Sequence, residues 1–333
     1  MDNKITKKRI SNLISYDWIF IIVLCLIVVL VAEFLYAFLS VKLSPGQKFR
    51  WFYDDGISEE GDYDVMVLLT KDETLSYDVI NAYSESNLSE ANMLEARVAI
   101  QEVDVFITHC RETGDGLVPI KTVVDNQNNS MYTFEKLLSD AENYLSGFLK
   151  DEFSSLGESE KKIKIQEEEN LSVEKIHSHF DLRMAKDNRF RTASEKANGR
   201  IQEEKRIFDL VKEVNDFRYL LEVGDERQLF YRYTRYSQLA DYSTQNKDVY
   251  EKIVQMEVDA GRGNAIYGLR VENLKGVGKD DPSKYFKIVG EDTSKDVIIS
   301  VFDFLEYQQD LQFECISFIN TFVRACSDVY DGR

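Results

Sequence analysis

The sequence predicts an α/β fold carried behind one N-terminal transmembrane helix, and three observations predict it. An unbroken apolar run occupies residues 18–41, short apolar segments alternate with helical ones on both sides of the centre, and the centre is charge-rich and free of proline. The expected architecture is therefore a transmembrane helix followed by a two-lobed domain with a mostly parallel sheet and a helix-rich middle at about 133–222.

The composition supports a packed core. Of 333 residues, 44% are hydrophobic and 12% aromatic, with 20 Phe and 18 Tyr, far more apolar surface than a disordered chain carries. Without the first 41 residues, the chain suits one two-lobed domain or two small ones. The formal charge is −18, and the residues after 41 alone carry −19, so the surface repels phosphates and no nucleic-acid partner is expected.

Residues 1–17 form a short tail bearing Lys4, Lys7, Lys8 and Arg9 against Asp2 and Asp17. The run 18–41 (WIFIIVLCLIVVLVAEFLYAFLSV) follows, with one ionisable group and no Gly or Pro. At 1.5 Å per residue it reaches roughly 36 Å as a helix, enough to span a bilayer core with some tilt. A buried helix of a soluble protein would show a polar stripe, whereas this run is apolar on every face.

Cleavage as a secretory signal is disfavoured, because the run exceeds an ordinary signal core and lacks paired small residues near its end: Leu35 stands two before Ala37, and Phe38 two before Ser40. A lipoprotein signal fails because Ile22, Val23 and Leu24 precede Cys25. The segment reads as an uncut signal anchor. Four basic residues before it, against Lys42, Lys48 and Arg50 after it, place the N-terminus in the cytoplasm and the rest of this single-pass plasma-membrane protein outside. Glu33 either meets a partner helix's cation or forms a proton site, or else it lies near the interface or is protonated, and the latter reading is preferred.

Residues 42–61 read as a stalk with one strand at 48–54, and residues 62–333 as the extracytoplasmic domain. Within it, 64–70 (DVMVLLT) and 77–83 (YDVINAY) are short apolar runs expected as buried strands. Residues 89–102 carry helical character after Ser89, and 103–108 (VDVFIT) return to strand, giving the βαβ pattern of a parallel sheet. The centre predicts helices over 134–149, 172–185 and 194–221, the last with Ile201, Phe208, Val211, Val214, Phe217 and Leu221 in one apolar stripe. The charged stretch 157–170 predicts a solvated loop or exposed helical turn. A strand at 295–304 and a helix at 309–329, with Leu311, Cys315, Phe318 and Phe322 on one face, close the chain.

Several of these segments resemble type II extracellular solute-binding proteins. DVINAYSESN followed by ARVAIQEVDVFI looks like their opening, while AIYGLRVENLKG, PSKYF and ECISFINTFV look like their closing segments. With DNRFRTASEKANGRIQEE in the middle, the chain is more similar still to uncharacterised, membrane-anchored relatives in Gram-positive bacteria. The resemblance covers most of residues 62–326 and departs from the class in lacking a lipobox and in its short length. It implies a solute-binding-protein-like domain closing two lobes on a ligand, and names no solute or transporter.

Chemistry-bearing motifs are few. His177 and His179 stand two apart and on a helix point roughly 200° from one another, so they cannot share a metal. His109 beside Cys110 lacks a second ligand pair; no metal, cofactor or catalytic residue is expected. Gly276, Gly278 and Lys279 lack the spacing of a phosphate loop, and the S-x-x-K pairs Ser159 with Lys162 and Ser172 with Lys175 fall in charged helical sequence. No enzymatic activity is predicted. Cys315 and Cys326 lie about 16 Å apart along one helix, so a disulfide would have to use Cys110; buried thiols are the preferred reading. Asn87, Asn128 and Asn170 head glycosylation sequons that matter only in a glycosylating host.

Ligands of open parallel sheets bind beyond the carboxyl ends of strands. Those positions are Tyr83 and Ser84 after one strand, and Thr108, His109 and Arg111 after the next. Tyr231, Arg232, Tyr233 and Tyr236 add an aromatic and basic cluster suited to a sugar or an anion, which a helix-packing face would explain as well. The expected function is a membrane-anchored extracytoplasmic protein binding a small molecule or peptide. The alternative is a non-enzymatic scaffold in an envelope membrane complex, with membrane-complex partners.

Overall fold

The computed structural model describes residues 18–39, 47–54, 56–58, 65–71, 75–77, 79, 81–85, 94, 96–98, 103–111, 119–126, 131–185, 187–234, 243–259, 263–302 and 313–333. The chain divides into two compact units, Met1–Ser44 and Pro45–Arg333. The first holds helix α1 (Trp18–Leu39), whose only ionisable residue is Glu33. With side chains described only for Ile22 to Glu33, no helix among the described residues is long and apolar enough to cross a membrane.

The second unit is built on a six-stranded sheet of β1 (Lys48–Tyr53), β3 (Asn81–Glu85), β4 (Val105–His109), β5 (Phe230–Tyr233), β6 (Ala265–Arg270) and β8 (Val297–Val301), in the order β3-β1-β4-β8-β6-β5. Strands β3, β1 and β4 are mutually parallel; β8 runs antiparallel to β4 and β6, and β5 antiparallel to β6. Four of the six strands thus point one way, the sense in which the sheet is mostly parallel, although its right half is paired antiparallel. A separate ribbon pairs β2 (Ile57–Ser58) with β7 (Lys287–Ile288).

Period-two alternation explains how the sheet is covered on both faces. Phe49, Trp51, Val105, Ile107, Val297, Ile299 and Val301 join one core, shared with α4 (Phe134–Ser146), α7 (Ala193–Val223) and α9 (Glu314–Cys326). Phe52, Phe106, Tyr267 and Ile298 point to the other core, closed by α3 (Ile120–Asn126) through Ile120, Val123 and Val124. Gly268 has no room for a side chain, because a Cβ would lie 2.4 Å from Ile298 Cγ2. On the first face Asn320 of α9 donates to the Glu213 carbonyl of α7 at 2.8 Å, and Arg324 pairs with Asp216 at 2.7 Å. Helices and sheet therefore share one core, and Pro45–Arg333 is one compact unit instead of two separate lobes.

The helical middle follows its local signals. Thr133 caps α4, Ser172 caps α6 (Val173–Arg183), and Thr192 with Glu195 forms a capping box on α7. The Ser172–Lys175 motif is this cap: the hydroxyl accepts the Lys175 N–H at 3.3 Å, and Lys175 Nζ reaches the Leu149 carbonyl at 2.7 Å. Ser159 and Lys162 lie on the short, exposed α5 (Glu158–Lys164), as a solvated turn requires.

Several expectations are corrected. Residues 64–70 form not a strand but helix α2 (Val65–Lys71): Val65 and Leu69 are buried one turn apart, while Val67 between them is 60% exposed. A short apolar run fits both periods, and here the helical one holds. The strand expected at 77–83 is shifted to Asn81–Glu85. Within the expected stalk, β1 occupies an interior position of the sheet. On α7 the buried stripe runs through Ile207, Leu210, Val211, Val214, Phe217 and Leu220, whereas Ile201 is 63% exposed, because the stripe continues toward the N-terminus through Glu203 and Gly199. The 89–102 helix falls mostly outside the described residues. All four cysteines are free, with Cys315 and Cys326 buried.

Candidate functional site

The chain passes from β1 to β3 on one side and then to β4 on the other, so the strand order reverses between β1 and β4. Ligands of open sheets bind outside the carboxyl ends of strands at such a point. Asp54, just after β1, and His109, ending β4, meet there with Nε2 and Oδ2 3.5 Å apart, both buried. His109 Nδ1 accepts the Arg111 N–H at 3.2 Å.

Next to this pair, Arg111 forks onto both Glu291 oxygens at 2.7 and 2.9 Å and donates through Nε to Asp296 at 2.9 Å. These hydrogen bonds push the guanidinium pKa up and hold Glu291 below its usual range. Asp296 has φ of 68°, a left-handed conformation that Asp tolerates, and its carbonyl accepts the Cys110 N–H at 3.0 Å. Cys110 Sγ lies 3.8 Å from both Asp296 and Arg270. Burial pushes this thiol up, so it is not a thiolate nucleophile at neutral pH.

The aromatic cluster lies on strand β5, which overturns the helix-packing reading. Strand alternation puts Tyr231 and Tyr233, two residues apart, on the same side of β5, where their rings stack 6.2 Å apart; the register shift beside them skips Tyr267 on β6. Arg270 lies 5.6 Å over Tyr231, whose phenol is pushed up by burial. Tyr233 donates to Asp125 at 2.8 Å, and Arg232 pairs with Asp225 at 2.8 Å. Cys110, next to His109 and Arg111, packs against the same buried cluster as Tyr231 and Tyr233. Tyr83 and Ser84 stand apart, inside β3 and opposite Arg50 and Trp51 of β1. Thr108 is fully buried within β4. Tyr236 lies outside the described residues.

A cavity of about 520 Å³ opens beyond the ends of β4 and β6. Its walls come from three segments: Glu272 to Gly276 after β6, Lys279 to Ser283 before β7, and Asp292 to Lys295 before β8. Because Val297 pairs with His109, the last segment lies just past the carboxyl end of β4. Arg111 fixes this wall through Glu291 and Asp296. Asp281 shapes the middle one, accepting the Ser283 N–H at 2.9 Å and its hydroxyl at 2.8 Å. Sequence reading missed these residues; the turn-rich run KGVGKDDPSK between two strands was the available signal. A second cavity of about 460 Å³ has the apolar Leu75, Val79, Leu210 and Phe313 in its walls, but it lies before the amino end of β3, away from the switch point.

No family model, curated protein or solved structure matches the chain. Among the described residues no group of His, Cys, Asp and Glu is arranged to hold a metal ion.

Proposed function

We propose that this chain is a membrane-anchored, extracytoplasmic binding protein of the solute-binding type, taking a small molecule or short peptide outside the carboxyl ends of β4 and β6. One observation carries the reading: a cavity of about 520 Å³ opens beyond the carboxyl ends of β4 and β6, beside the β1/β4 switch point, and its volume is of the size small-molecule sites have. The anchor reading rests on the 24-residue run 18–41, α-helical over Trp18–Leu39, with its single carboxyl and basic flank.

A ligand screen tests the binding. Full-length chain in detergent, melted with sugars, amino acids and short peptides, should yield a compound that raises Tm, by about 2.7 kcal/mol of stabilisation at a hundred times Kd. A Ser294→Trp variant, which fills the cavity wall, should lose the response. The scaffold reading has its own support, since Arg111, Arg232 and Tyr233 are all engaged by partners within the chain. Failure of every ligand, with membrane proteins co-purifying in stable ratio, would decide for it.

A further inference from the structure

The charges around the cavity narrow the class of ligand, an inference that rests on the binding reading above. Its walls carry four acidic side chains and three lysines, and most of them are neutralised by residues outside. Glu272 pairs with Arg270 at 3.4 Å, Asp280 with Lys284 at 3.6 Å, and Asp292 with Lys287 at 3.3 Å. Lys279 is taken by Asp331 at 2.8 Å and by the Arg324 carbonyl at 3.3 Å.

Three charges remain. Asp281 is occupied by the N–H and hydroxyl of Ser283, which hold its carboxyl below the usual range. Lys275 and Lys295 form no ion pair within 4 Å among the described residues and feel only the longer-range attraction of Asp281 and of Glu291 respectively. They come from two different walls, one after β6 and one before β8. Beside Lys295, Thr293 Oγ1 accepts the Lys295 N–H at 3.1 Å, so its hydroxyl proton is available to an acceptor in the cavity. Leu274 and Pro282 add apolar wall.

We infer that the cavity takes a small organic anion bearing a carboxylate, held between the ammonium groups of Lys275 and Lys295 with the Thr293 hydroxyl as a further donor. Isothermal titration of the full-length chain in detergent tests this with succinate, glutamate, inorganic phosphate, glucose and putrescine as probes. A carboxylate should bind, and its affinity should fall as salt rises. The double variant Lys275→Gln, Lys295→Gln should weaken it about fivefold, the effect of losing two partly screened charge contacts of about 0.5 kcal/mol each. Both lysines are exposed, so the ligand-free melting temperature should not change.

Binding of carboxylate with unchanged affinity in the double variant overturns the inference, as does binding of phosphate alone. If only glucose or putrescine binds and Ser294→Trp abolishes it, the anion is wrong while the binding reading stands. If neither these probes nor the wider ligand screen gives binding, both readings fall together.

Discussion

Buried ionisable side chains set how this protein responds to pH. Asp104 sits at the start of β4, accepting the Arg50 N–H at 2.7 Å, yet burial pushes its carboxyl up to about 7 against that hydrogen bond and the Arg50 charge. A raised pKa means the folded form holds a proton the unfolded form has lost. Its stability contribution is therefore complete below 3.8 and is lost as pH rises through about 7. Thermal melting should show Tm falling between pH 5 and 8, with Asp104→Asn flattening that slope; an unchanged slope refutes the assignment. Glu203 has the opposite sign. Burial opposes its ionisation, but Arg206 at 3.0 Å, His179 at 3.4 Å and Arg183 at 2.6 Å, with the Tyr77 hydroxyl at 2.8 Å, hold it well below the usual carboxylate range. Its contribution is present above 4.5 and lost on acidification. Glu203→Gln leaves the buried Arg206 and the partly buried Arg183 short of their counter-charge and should cost about 3–5 kcal/mol in denaturant unfolding. None of this was legible beforehand, because Glu203 and Arg206 look like exposed helix charges until Tyr77 and Arg183 arrive from 126 and 20 residues away.

At the scale of elements, helices were easier to read than strands. Thr192 and Glu195 announce α7, and Thr133 announces α4, because a cap is a local hydrogen bond within four residues. The 64–70 run was misread because seven residues do not separate a period of 2 from one of 3.6. Strand β5 was not recognised, its residues being weighed between a ligand cluster and a helix-packing face, because its identity depends on pairing with β6, more than thirty residues on. Gly199 on α7 shows how tertiary contact overrides propensity. Alanine there would gain up to about 1 kcal/mol as a helix former. Its Cβ, however, would lie 2.3 Å from Phe180 Cζ and 2.8 Å from Phe190 Cδ1, an overpacking that costs about 1–3 kcal/mol. Gly199→Ala should therefore lower the melting temperature, and a rise would show that α6 and α7 are less tightly packed.

For the whole molecule, the proposed compartment rests on residues 1–41 and the proposed site on residues beyond them. Protease added to intact cells should degrade the 45–333 unit if it lies outside, and removal of residues 1–44 should release it from membranes; protection in intact cells would place it inside. The sequence alone determined the apolar run 18–41, the α/β class and the helical middle, all written in near-neighbour patterns of hydrophobicity and capping. Only the tertiary structure decided that β8 enters the sheet antiparallel between β4 and β6, that the helices share the sheet's core, and that Lys275 and Lys295 stand at one cavity. Those outcomes depend on burial and pairing between segments far apart in the chain, and no local spacing encodes which distant surface a strand, helix or lysine will meet.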